Sequence, residues 1–490
     1  MNVRTIYKIF PKILCASLLF GSSLMNTATA QEAPSTTLGF DDSSVHTYTL
    51  DNGLTILVKP DQRAPVVLTQ IWYKVGSTYE PNGITGISHM LEHMMFKGTT
   101  DLKPGDIETL VEASGGSQNA FTSYDYTAYY QFWGKDNLKL SFEIEASRMN
   151  NLILDQDLFD KEKQVVMEER RMRTEDNPIA FAQERFLASA YIANPRHHPV
   201  IGWMGDIEQY QLSDLKEWYK KWYTPNNAII VVAGDVDPET VHQEALNYFG
   251  HLEKRTTPTL KKHPEIEAVG EKYLKVNHPN VEVPTLFMGY TTPSVNSIES
   301  KDIYALIVLE TIIGGNETSR LQENLVRNHE IATGISANYD PFALDNVLFT
   351  ILALPNQGHS LQELQDGINQ QIKSVITDGV SSEELERVKT NVLAGKIYMM
   401  DSIPSQAMMM GSFASLGLPT NFEKTLLDEI QKVSAKEVQD IAKKYLTSDN
   451  LTVARLELPA SVQTKEASTI TNIPMPNQNT SVSNTGDNNE

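Results

Sequence analysis

The sequence predicts an α+β fold made of two similar domains, and three observations carry that prediction. The chain has 490 residues, more than one hydrophobic core usually supports. Short runs alternating apolar and polar residues are interleaved with segments whose apolar positions recur every three to four residues. Past the middle, the order begins again. Ser213, Tyr223 and Asn227 lead into IIVVAGD much as Ser434, Tyr445 and Asn450 lead into LTVARLEL, each a helix ending in Tyr, a polar turn and a strand. Two domains of about 200 residues each follow.

At the start of the chain, Arg4, Lys8 and Lys12 precede an apolar run, Ile13–Met25, that is too short to span a bilayer stably. Ala28-Thr29-Ala30 then fits a signal-peptidase site, so residues 1–30 read as a cleaved export signal. This implies a periplasmic protein, with the medium as the alternative destination. Cys15, the one cysteine, lies inside this segment, so the mature chain has no disulfide, thiol nucleophile or thiolate ligand. Any metal must be held by His and carboxylate. The net charge is −21, and loss of three basic and no acidic residues with the signal makes it −24. That charge argues against nucleic acid or an anionic membrane as partner. No later run is apolar for long enough to insert stably in a membrane.

The first domain is expected over residues 45–252. His46–Pro60 reads as a hairpin about Asn52-Gly53, followed by a β-rich run, Val66–Gly76. Helices are expected around His89–His93, near Asp106–Ala113, and across Asp136–Asn151 and Asp157–Arg173, with a strand pair in Gln118–Trp133 between them. Leu212–Tyr223 is a helix for which Ser213 is a candidate cap; Asn227–Val236 is a buried strand, and a helix ends at Gly250. Residues 253–272, rich in Thr, Pro and Lys, read as a linker. The second domain, residues 273–459, repeats strands, a helix at Asp302–Ile313, a β-rich run at Thr333–Leu354 and further helices. Residues 460–490, rich in Ser, Thr, Asn and Pro, read as a disordered tail.

The chemistry gathers in His-Met-Leu-Glu-His, residues 89–93. On a helix, positions i and i+4 lie one above the other and i+3 shares their face, so His89, Glu92 and His93 project together. Two imidazoles at this spacing suit one Zn²⁺ per chain, with the carboxylate beside the metal as general base toward its water. A catalytic zinc usually has a third protein ligand. In Phe159–Arg173, Glu162, Glu169 and Arg173 fall near one helix face, with Glu162 placed to orient or polarise the Glu169 carboxylate, while Glu168 is rotated by about 100° from Glu169. Spacing alone leaves Glu168 and Glu169 both open.

Several separated blocks resemble the pitrilysin/insulinase (inverzincin) metallopeptidases, and in particular the short two-domain bacterial type similar to the mitochondrial processing peptidase subunits. The blocks are Val75–Thr99, Asn119–Tyr130, Lys161–Arg173 and His198–Asp237, and the likeness runs from about Tyr48 to Leu458. It implies two homologous metallopeptidase-like α/β sandwich domains forming half of a clamshell, the second having lost its zinc. The family's spacing selects Glu169 as third ligand and makes Glu162 an additional acidic residue of the site. It also places Asn119, Ala120 and Phe121 on an edge strand that holds substrate by strand addition. Arg327 falls on the family's oxyanion-binding Arg, but Thr333 stands where a Tyr belongs. Tyr339, another group or a second subunit must then supply that donor. The implied function is an exported zinc endopeptidase acting on peptides or unfolded segments, working as a homodimer or with a paralogous subunit. The alternative is a zinc-binding scaffold subunit, weakly active or inactive alone.

Overall fold

The computed structural model describes residues 45–259, 262–297 and 300–459; the segments read as export signal and C-terminal tail lie outside the described residues. The chain reverses at Asn52-Gly53, pairing β1 (His46–Thr49) with β2 (Thr55–Pro60). β3 (Val66–Tyr73), α1 (Ile87–Met94) and α2 (Asp106–Ala113) follow, then the hairpin of β4 (Ser117–Thr122) and β5 (Thr127–Gly134). α3 (Leu138–Asn151), α4 (Gln156–Arg170), α5 (Pro178–Ala190), α6 (Met204–Gln209) and α7 (Leu212–Trp222) precede β6 (Ala228–Gly234) and α8 (Pro238–Phe249).

These strands form one sheet in the order β1-β2-β6-β3-β5-β4, which leaves one side of β4 unpaired. Period-two alternation decides what each face covers. On β6, Ile230 and Val232 face a core with Leu91, Phe142, Phe159, Leu215 and Val241, whereas Ile229, Val231 and Ala233 join Trp72 and Leu68 on the opposite face.

Residues 253–271 carry no helix or strand among those described. Beyond them come β7 (Lys272–Asn277), β8 (Thr285–Thr292), α9 (Ile303–Ile313), β9 (Ala332–Asn338) and β10 (Val347–Pro355). The chain continues through α10 (Leu361–Asp378), α11 (Ser382–Met400), α12 (Ile403–Ser415), α13 (Phe422–Lys432), α14 (Ala435–Tyr445) and β11 (Leu451–Glu457). The second sheet is ordered β7-β11-β8-β10-β9. Its topology reproduces that of β2-β6-β3-β5-β4: the first pair is parallel and the rest antiparallel in both. The local repeat read from sequence has matching hydrogen bonds. Asn227 Nδ2 donates to the Trp222 carbonyl at 3.0 Å and Asn450 Nδ2 to the Tyr445 carbonyl at 2.8 Å, each closing the helix before its strand. Ser434 caps α14, but Ser213 does not cap α7: that helix starts at Leu212, and Gln211 N–H donates to Asp214.

Two helices cover the sheet of the other half. Ala182 and Phe186 of α5 pack with Val276, Phe287 and Leu456 of the second sheet. Ala407 and Met410 of α12 pack with Leu57, Trp72 and Val231 of the first. The stretch at residues 253–272 thus separates the two sheets and their two main cores, while two smaller clusters join residues of both halves. Among the described residues no helix is long and apolar enough to cross a membrane.

Candidate metal centre

α1 is a single amphipathic helix whose Met90, Leu91 and Met94 are fully buried in the first core. That packing fixes which way the opposite face points. The helix start is fixed as well: Glu80 accepts the N–H groups of Gly86 at 2.7 Å and Ser88 at 2.8 Å, filling an otherwise unsatisfied helix N-terminus. Burial pushes the Glu80 carboxyl up to about 8, against the opposing effect of those two bonds. Gly86 is at φ +88, and a Cβ there would lie 2.2 Å from the Ile201 carbonyl, so only glycine lets the 199–202 loop back onto the helix. Arg170, at the end of α4, ties this loop in by donating to Gly202 O at 2.8 Å while gripping both carboxylate oxygens of Glu184.

α1 and α4 meet along their polar faces. His93 Nε2 lies 3.2 Å and His89 Nε2 3.8 Å from Oε2 of Glu169. The ligand atoms of these three residues all fall within 4.8 Å of one another, and they are the one such group found among the described residues. Zinc bonds of about 2.0–2.2 Å in a tetrahedron put neighbouring ligand atoms about 3.3 Å apart, close to the two separations from Glu169, and the full set within 4.8 Å suits that ion once the side chains draw in around it. For His93 the nitrogen assignment agrees with this, while His89 Nδ1 is buried with no hydrogen-bond partner among the described residues. His93 Nδ1 lies 2.9 Å from Glu162 Oε1, and donation of its N–H there leaves Nε2 with a free lone pair. Oε1 of Glu169 is held by Arg173 at 2.6 Å, from the π-helical turn Arg171–Glu175 that ends α4. Glu168 points away, exposed and paired with Arg171 at 3.0 Å.

The charges of the cluster are strongly coupled. Burial and the neighbouring His93 charge bring His89 down to about 4. Burial opposes the charge on His93, but bonds to Glu162 and Glu169 outweigh it and hold this imidazole up at about 9. For Glu169, burial is likewise outweighed, by the His93 bond and the charges of His89, His93 and Arg173, leaving it at about 2. Glu92 is shifted upward by burial, in spite of a 2.6 Å hydrogen bond to its Oε2 from Thr122 Oγ1.

Thr122 ends β4, the strand that also carries Asn119, Ala120 and Phe121. That strand packs beside α1 and has one open edge. The structure thus brings His89, Glu92, His93, Glu162 and Glu169 together, with Asn119–Phe121 alongside. Arg327 is elsewhere: it sits in the π-helical turn Gln322–Asn328 of the second half and donates to the Glu317 carbonyl at 2.6 Å. Thr333 is exposed on β9. Tyr339 is buried and its hydroxyl donates to Pro293 O at 2.7 Å, so it is not free to serve in place of the expected Tyr. Sequence reasoning missed Thr122 and Glu80. Both act across chain reversals that spacing on one helix does not reveal.

Residues 55–202 match the profile of the insulinase family, peptidase family M16, and residues 209–392 that of the M16 inactive domain. Zinc protease PqqE of Helicobacter pylori is 31% identical over 418 residues, covering 84% of this chain and 92% of the relative. The chain belongs to the M16 peptidase family. A crystal structure of a protease from Helicobacter pylori superposes with a TM-score of 0.80 at 29% identity, covering 84% of this chain and 99% of that one. The periplasmic protease PqqL from Escherichia coli shares the M16 fold at a TM-score of 0.72 and 19% identity, with 91% of this chain matching 52% of that chain. The M16 fold of the present chain is therefore α+β, with two sheets and their helices.

Proposed function

We propose that this chain is an exported zinc endopeptidase that cleaves peptides or unfolded polypeptide segments. The observation that carries the reading is one helix presenting His89, Glu92 and His93 to Glu169, with Glu92 tied to the open strand β4. His89, His93 and Glu169 hold the ion, and Glu162 orients His93 through Nδ1. Zinc bound there supplies Lewis acidity, polarising a carbonyl and lowering the pKa of water. Glu92 is the general base. Thr122 occupies its Oε2, and the other oxygen accepts the proton of the attacking water. The substrate backbone adds as a strand beside Asn119–Phe121, where the sheet has no partner.

A second subunit follows from the other side of the site. Thr333 is short and exposed, the Tyr339 hydroxyl is engaged, and Arg327 donates to a carbonyl within its own half. An oxyanion donor is worth on the order of 10²-fold or more in rate, so a homodimer or a paralogous partner supplies one. The same observation favours a second reading, a zinc-binding subunit that is idle alone. Turnover of a fluorogenic peptide library, with and without a chelator, separates the two. Chelator-sensitive cleavage by the purified single species supports the peptidase; zinc binding without cleavage supports the scaffold.

A further inference from the structure

One charged side chain near the cluster has no role so far. Lys97 Nζ lies 2.7 Å from Oε2 of Glu162, whose Oε1 takes His93 Nδ1. Met95 N donates to Leu91 O and Lys97 N to Met94 O, both at 3.0 Å, so the chain keeps turning past the end of α1. His89 and His93 form one stripe on α1, and Lys97, past the helix end, reaches the same carboxylate as His93. On α4, Glu162 and Glu169 face that stripe two turns apart. Gly98 sets where Lys97 stands: it is at φ +103, and a Cβ there would lie 2.8 Å from Leu102 O.

Ion pairs at a protein surface contribute little. This one differs, because the Glu162 side chain is only 8% exposed and its other oxygen holds a candidate ligand. Lys97 is the one protein group, among the described residues, that bonds Oε2 of Glu162. Without it, the carboxylate is anchored from one side and free to rotate about its last torsion. The His93 ring then loses its orientation.

We propose that Lys97 is a positioning residue for the metal, acting through Glu162 to hold the His93 imidazole with Nε2 aimed at His89 and Glu169. This rests on the zinc-binding reading above. Partners that orient metal ligands cost about 10–100-fold in metal affinity when removed. Lys97 stands one residue further out than Glu162, so its removal belongs at the lower end of that range.

The test measures zinc affinity of the full chain by competition with a chromophoric chelator, for wild type, Lys97→Met, Lys97→Arg, Glu162→Gln and the Lys97→Met/Glu162→Gln double variant. Lys97→Met should weaken zinc binding about tenfold, and Lys97→Arg should restore most of it. The double variant should bind no more weakly than Glu162→Gln alone, since both act on one imidazole. Zinc affinity is measured well below the unfolding midpoint of each chelator-treated protein, so that stability lost with the ion pair does not enter the readout. Wild-type affinity in Lys97→Met, or additive losses in the double variant, overturns the proposal while leaving the zinc site standing. Failure of wild type to bind zinc overturns both.

Discussion

Thr122→Val isolates one link of the proposed machinery. The substitution keeps the side-chain shape and removes only the hydroxyl that donates to Glu92 Oε2 at 2.6 Å. A hydrogen bond to a charged group contributes about 1.5–3 kcal/mol, and one this short is in the charge-assisted range. At about 1.4 kcal/mol per tenfold in rate, a bond felt fully in the transition state costs about 10–100-fold in kcat. Thr122 does not touch His89, His93 or Glu169 through any hydrogen bond, so zinc content should stay at wild type. KM should change little, because the backbone edge of β4 that pairs with substrate is intact. The assay is steady-state hydrolysis of a fluorogenic peptide with zinc quantified in the same preparation. Thr122→Ser retains the hydroxyl and should recover most of kcat. Unchanged kcat in Thr122→Val, or an equal loss in Thr122→Ser, would refute the assignment of Thr122 as the residue that holds the base.

Further outcomes follow from the same structure. Arg170→Met leaves the buried Glu184 carboxylate with only Arg185, at 3.5 Å, and frees the Gly202 loop behind α1, so chemical denaturation should show a loss of about 3 kcal/mol. Glu310, in α9, is pushed up to about 7 by burial, against an ordinary value of 4.5. A carboxyl raised in the folded state favours folding below its unfolded value, and that contribution is lost as pH rises from about 4.5 through about 7. Glu310→Gln should therefore match wild type in unfolding midpoint at acidic pH. It should exceed wild type by about 1–3 kcal/mol above pH 8. A variant that gains nothing at alkaline pH contradicts the buried-acid explanation.

How much of this was legible in the sequence depended on how local the signal was. Asn52-Gly53 and the alternation around it gave the first hairpin, and the aromatic-rich stretch Gln118–Trp133 gave the strand pair β4 and β5. His89, Glu92 and His93 sit within two helical turns, so their common face needed only the helix geometry. The choice between Glu168 and Glu169 was not available from periodicity, because both lie on one helix and differ only by rotation. The family resemblance selected Glu169, and in the fold Glu169 turns toward His93 while Glu168 pairs with Arg171. The exchange of α5 and α12 between the sheets was hidden for a different reason. Phe186 and Met410 read as ordinary core residues, and nothing local states which sheet a buried helix covers. Thr122 and Lys97 stayed hidden because each serves the site through a second side chain, Glu92 or Glu162, from a strand end or past a helix end.

The central claim is that Glu92 is the base of a zinc peptidase, and Glu92→Gln tests it most directly. Gln keeps the shape and the Thr122 contact but cannot accept the proton. Peptide hydrolysis and zinc content are measured on one purified sample of wild type and variant. The account predicts loss of hydrolysis by 10²-fold or more with zinc retained at about one per chain. Hydrolysis near the wild-type rate in a variant that still holds its zinc would contradict it.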